Sequence, residues 1–231
     1  MADVRGTGAQ GEPPAEAPEN GRWSLTVASR TTRAHGRRTV AWLLDAAVAE
    51  FGAYGYHGAS MARIAKRAGT AHGTVYLHFA DKDDLLHAAL TDVLADLDPA
   101  LLAVPALRPG DGGLRELCDW LAGVCSRFQT HGAVLQAVNE AMSAGDHTKA
   151  GADGLHSLSR SLAALGDRIR ATGASEIDPQ IAALAIYAVI EGSNRALFRG
   201  QLLVSQDQLA VCLAEFIQRS IFGADPAAVA P

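Results

Sequence analysis

His72, Gly73, Thr74, Tyr76 and His78 follow one another closely, at a spacing that gathers small and polar groups on the outward side of a short helix. Their chemistry is non-covalent. Hydroxyls and imidazoles exchange hydrogen bonds with base edges or phosphate oxygens, and a glycine among them removes a side chain that would hold the helix off a grooved partner. Elsewhere the chain offers catalysis little: no paired carboxylates, nucleophile elbow, phosphate loop or H-E-x-x-H set occurs. Cys118 and Cys125 share a helix face without a histidine or carboxylate at ligand spacing, so they read as small core hydrophobes and not as a metal or redox centre. No catalytic residue, metal or cofactor is expected, and a helical enzyme is the weaker alternative.

The segment that must position these groups is SMARIAKRAGTAHGTVYLHF, residues 60–79. Met61, Ile64, Ala65 and Ala68 form a buried helical stripe, with Ser60 as an N-cap whose neighbouring amides could also hold a phosphate. Gly69 supplies a left-handed turn, and a second helix runs from Thr70 or Ala71 to about Leu77. Two short helices around a glycine turn make a helix-turn-helix, whose second helix enters the DNA major groove. His72 and Thr74 are placed to reach base edges or phosphates. Tyr76 and His78 sit lower, towards phosphates. Charge agrees: the net charge is −5, yet eight basic residues against three acidic ones between Arg30 and Lys82 give that stretch +5 and leave the remainder at −10.

IAKRAGTAHGTVYLHFADKDDLL resembles the TetR family of bacterial regulators, in which IA, AG, GT, Y, HF and K-x-x-L recur at fixed offsets. Thr70 and Ala71 depart from the pattern. The family usually has a small apolar residue and then Ser there, so the cap is expected to move back to Thr70 or to weaken, and the phosphate contact of that Ser is lost. The resemblance implies a homodimer that reads double-stranded DNA and holds a small molecule in its carboxyl-terminal domain. The DNA-binding set is therefore Arg37, Arg38, Ser60, Thr70, His72, Gly73, Thr74, Tyr76, His78 and Lys82. Lys82 opposes the dipole of the helix it starts, which favours an external anion beside it.

The expected architecture is all-α: an N-terminal three-helix helix-turn-helix DNA-binding domain over 35–82 and a C-terminal helical ligand-binding and dimerisation domain over 83–223. A chain that is 48% hydrophobic can bury cores for both. Residues 1–34 and 224–231 are tails; the first is rich in Pro, Gly and Glu and reads as disordered, its arginines serving equally as a DNA-reaching arm or as solubilising charge. Val40 to Phe51 carry a helical stripe over about Thr39 to Ala53, and Leu85 to Leu97 another. Pro99, Pro105, Pro109 and Gly110 to Gly113 predict a break, and Ser143 to Gly154 a loop.

Beyond that loop come helices over Leu155 to Ile169, Ile181 to Ile190 and Leu209 to Ile221. The last two are apolar nearly all round, which calls for a second copy packed against them in a four-helix contact. Trp120, Phe128, Asn139, Met142, His156, Tyr187, Glu191 and Asn194 interrupt apolar faces and are candidates for the ligand pocket, with core or dimer packing as the competing explanation. Three scattered cysteines and the lack of a signal peptide or long apolar run point to the cytoplasm and away from membranes. A non-DNA-binding dimeric sensor or adaptor would keep the second domain and leave Gly73, Thr74 and Lys82 unexplained.

Overall fold

The computed structural model describes residues 34–145, 148–174 and 177–223, and among them it contains nine α-helices and no strand. They are α1 (Ala34–Gly58), α2 (Met61–Arg67), α3 (His72–His78), α4 (Lys82–Leu102), α5 (Gly110–Thr130), α6 (Gly132–Ser143), α7 (Lys149–Thr172), α8 (Pro179–Phe198) and α9 (Gln206–Phe222). Both predicted tails lie outside the described residues, apart from Ala34.

Two hydrophobic clusters organise the bundle. In the first, Leu43, Leu44, Ala47 and Phe51 of α1 close over Ile64, Ala65, Val75 and Phe79, with Leu85, Leu86 and Leu90 of α4 beneath. This cluster also takes in Val134, Ala137, Val138 and Ala141 of α6, because α6 lies along α1. The second joins Leu117, Leu121 and Phe128 of α5, Leu165 and Ile169 of α7, Ile186 and Ile190 of α8, and Leu213 and Ile217 of α9. Long α4 supplies residues to both, down to Leu97 and Leu101 in the second.

Several predicted boundaries move. Pro99 lies inside α4 and does not end it: its missing N–H removes the helical bond to the Ala95 carbonyl, yet the helix runs on to Leu102 and the Pro99 carbonyl accepts the closing bond from Ala103. Gly110, Gly112 and Gly113 belong to the first turn of α5, so the break is confined to 103–109. The expected loop over 143–154 is mostly helix. Thr148 caps α7 by accepting from the Gly151 N–H, and Ala150 is fully buried, which draws this turn into the core.

In α8, Ala183, Ile186, Ile190 and Asn194 face inward while Ile181 and Leu184 are exposed. By length and mean hydropathy, 1.3 over its best window, it could cross a membrane, against the sequence expectation of no such run. Its buried face is nonetheless built into the second cluster. On α9, Val211 and Phe216 are exposed beside it.

Candidate nucleic-acid interface and interior cavity

The turn between α2 and α3 is set by backbone bonding. Gly69 takes φ +65°, its N–H donates to the Lys66 carbonyl, and the Thr70 N–H donates back to the Ala65 carbonyl. This pair of bonds closes the end of α2 and redirects the chain within three residues. Ser60 caps α2 by accepting from the Arg63 N–H at 3.3 Å. The cap of α3 is Ala71, which makes no side-chain bond, so the loss of a hydroxyl there has weakened the cap and Thr70 has not taken over.

Of the seven residues of α3 only Val75 is buried. His72, Gly73 and Tyr76 are exposed, Thr74 and His78 half-buried, and the rings of His72 and Tyr76 meet edge to face at 5.1 Å. A Cβ added at Gly73 would meet nothing within 4 Å, so internal packing does not demand glycine there. Leu77 is 82% exposed and was not singled out from the sequence. The signal was available, because it stands two residues from buried Val75 and therefore on the opposite side of the helix.

Behind α3 the basic residues divide. Glu50 of α1 is only 1% exposed and pairs with both Arg63 and Arg67 of α2, as a buried carboxylate requires. Arg63 also donates to the Gly58 carbonyl and stacks over Tyr54 at 4.3 Å. Lys66 is exposed, as is Arg38, which lies 5.3 Å from the centre of the Trp42 ring. Arg37 is in the first turns of α1, and its side chain lies outside the described residues.

Lys82 has internal partners that its sequence position did not reveal. Its ammonium donates to the Tyr56 carbonyl at 3.0 Å and sits 4.2 Å over the Tyr56 ring. These partners, with Asp83 and Asp84 in the same turn, answer the conflict with the helix dipole from within. The Tyr56 N–H in turn donates to Glu140 of α6 at 2.8 Å. Gly55 makes this approach possible: it holds φ +68°, and a Cβ there would lie 2.4 Å from the Glu140 carboxylate. The backbone of Tyr56 is thus held by α6 at its N–H and by the start of α4 at its carbonyl.

A cavity of about 200 Å³ opens among α4, α5, α6, α7 and α8. Its walls are largely apolar, with Leu90, Leu94, Leu97 and Leu101 from α4 and Leu155 and Leu158 from α7. Of the candidate pocket residues, Phe128, Asn139, Met142, Tyr187 and Glu191 line it, and Ser157, not foreseen, joins them. Asn194 lines a smaller neighbouring recess with Phe128, Asn139 and Glu191, and its side chain is committed to the Ile190 carbonyl and the Cys125 sulfur. Trp120 and His156 lie outside: the Trp120 indole donates to the Ala100 carbonyl, and His156 is on the exposed side of α7.

Glu191 accepts through Oε1 from Asn139 at 3.0 Å and Arg195 at 2.7 Å. Ser157 donates to Asp98, which also pairs with Arg160. Burial pushes the Tyr187 phenol up to about 12, with the Glu191 and Asp98 charges adding to it, so the ring stays neutral. Burial likewise raises the Cys118 and Cys125 thiols, which favours their protonated form. Among the described residues no cluster suited to a metal ion occurs.

Residues 43–89 match the family model described as bacterial regulatory proteins, tetR family. The chain is 48% identical over 44 residues to the fatty acid metabolism regulator protein of Bacillus subtilis, covering 19% of this chain and 23% of that one. It is 38% identical over 95 residues to the HTH-type transcriptional regulator BetI of Escherichia coli, 41% of this chain and 49% of the relative. The matched region thus spans about a quarter to a half of these relatives' length. Among solved structures, a TetR-like transcriptional regulator from Rhodococcus sp. RHA1 superposes with a TM-score of 0.63 at 23% identity, covering 80% of this chain and 97% of that one. FadR of Bacillus subtilis in complex with stearoyl-CoA superposes at 0.58 and 19%, covering 80% and 98%. These likenesses establish a common fold over most of the described chain.

Proposed function

We propose that this chain, which belongs to the TetR family of bacterial regulatory proteins through residues 43–89, is a homodimeric transcription regulator that binds operator DNA and releases it when a small molecule occupies the interior cavity. The observation that carries this reading is α3, which spends one side chain on the fold and turns His72, Gly73, Tyr76 and Leu77 outward. Open space around Gly73 supports this reading, because nothing inside the molecule requires a glycine there. A helix presented in this way reads base edges through Thr74 and His72, takes phosphates through Tyr76, His78 and Lys82, and gains reach from Arg37 and Arg38.

Two such heads must be held a helical turn of DNA apart. The exposed apolar residues of α8 and α9, Ile181, Leu184, Val211 and Phe216 among them, supply a surface for a second copy. Communication runs through α6, which turns Leu135, Val138 and Met142 to the cavity and Glu140 to the Tyr56 peptide. A ligand that prefers one position of α6 shifts the population between DNA-competent and incompetent head spacings, by no more than its difference in affinity for the two. The protein works by binding and not by catalysis, in the cytoplasm where the DNA is.

The test is a gel-shift titration with the chain's own upstream DNA at 50 and 200 mM salt against a scrambled duplex. Saturable binding that prefers the upstream sequence at both salts is expected. Equal binding to both duplexes at low salt overturns the assignment.

A further inference from the structure

The polar lining of the cavity is unbalanced. With Asn139 and Arg195 both on Oε1 of Glu191, Oε2 has no partner among the described residues. Asn139 donates its amide to Glu191, which leaves its carbonyl oxygen as an acceptor. Ser157 has given its proton to Asp98, so only lone pairs remain for a ligand. The Tyr187 hydroxyl has no hydrogen-bond partner among the described residues, and its oxygen lone pairs are free to accept. No lysine or arginine is among the lining residues. Arg195 lines the adjoining recess, from which it pairs with Glu191, and Arg160 reaches Asp98 from outside; they are 42% and 48% exposed and screened by water.

We propose that the cavity takes a small molecule with an apolar body and a protonated amine, its N–H groups directed at Glu191 and Tyr187. This rests on the regulatory reading above and names the ligand class of that site. The leucine walls bury the body, while the acceptor-rich end satisfies an ammonium that would otherwise be costly to desolvate. Phe128 and Tyr187 are among the lining residues, and aromatic rings suit a cation. A carboxylate or phosphorylated ligand would meet Glu191 as a like charge with no lining cation to offset it. The stearoyl-CoA of the Bacillus subtilis FadR complex thus has no counterpart suited to this lining, although the fold is shared.

The experiment titrates the full-length protein by calorimetry with phenylbutylamine, phenylbutanol and phenylbutyrate, which share one body and differ in the end group. The amine should bind at least about tenfold tighter than the alcohol, as one charge-assisted hydrogen bond implies, and the acid weakest of the three. Glu191→Gln should narrow the ratio of amine to alcohol affinity to under about threefold, and Tyr187→Phe should weaken the amine. The wild-type ranking stands on its own if a variant fails to fold. An acid that equals or beats the amine, or no binding by any of the three, overturns the proposal. Each compound is also added to the operator complex. Release by all three alike would sink the ammonium preference and keep the regulatory reading, whereas a selective amine that releases no DNA would do the reverse.

Discussion

Lys82 gives the sharpest test, because its two roles are read by different instruments. Lys82→Met keeps the stem and removes the charge. Inside the protein this deletes the bond to the Tyr56 carbonyl at 3.0 Å and the contact with the Tyr56 ring at 4.2 Å. A charged hydrogen bond contributes about 1.5–3 kcal/mol and a cation over an aromatic face about 0.5–1 kcal/mol. The side chain is half-exposed, so solvent screening reduces the total to about 1–2 kcal/mol. In a chain of this size that lowers the melting temperature by about 2–8 °C.

At the DNA, each phosphate contact contributes about 0.9 to the slope of log affinity against log salt, so two copies of Lys82 in a dimer contribute about 1.8. The ratio of wild-type to variant affinity should then shrink about twelvefold between 50 and 200 mM salt. Fluorescence anisotropy with a labelled operator across that range measures the slope, and thermal denaturation measures the tether. A lowered melting point with an unchanged slope would show that the ammonium belongs wholly to Tyr56, and the phosphate role would be refuted. An unchanged melting point would refute the tether.

Gly73→Ala should leave stability unchanged or raise it by up to about 0.5 kcal/mol, since alanine loses less backbone freedom than glycine in the first turn of α3 and the new methyl meets nothing, while operator affinity falls; unchanged affinity would remove this face of α3 from the interface. Leu184→Asp with Phe216→Asp, at positions 53% and 48% exposed, should yield monomers by light scattering, each buried partner being worth about 1.5–3 kcal/mol; a dimer of normal affinity would place the contact elsewhere. The Asp96 carboxyl is held below its ordinary value chiefly by its hydrogen bond to His131 at 2.9 Å, with Arg127 adding to it. A depressed carboxyl stabilises the fold above the unfolded value of 3.8 and loses that contribution as pH falls through the folded one. Asp96→Asn should therefore melt earlier than wild type at pH 7, with the gap closing in melts taken below pH 3.8; a gap that persists in acid would assign the effect to packing.

The helix-turn-helix was legible because its determinants are local. A stripe at Ile64 and Ala65, the left-handed Gly69 and the missing hydroxyl at Ala71 each act within a few residues, so their order in the chain fixes two short helices and a turn. The apolar character of α8 and α9 was visible in the same way, as side chains that no periodic pattern could hide from solvent. What the sequence could not supply was partnership between distant residues. Nothing near Tyr56 announces that its carbonyl and its N–H are taken by Lys82 and Glu140, which stand 26 and 84 positions away, or that Glu50 takes in two arginines already counted as free charge. The cavity has the same origin: Ser157 and the leucines of α4 carry ordinary core patterns and became its lining only when five helices failed to close completely. Helical periodicity assigns each residue to a face, but packing alone decides which face it meets, where space is left, and which proton is already spent.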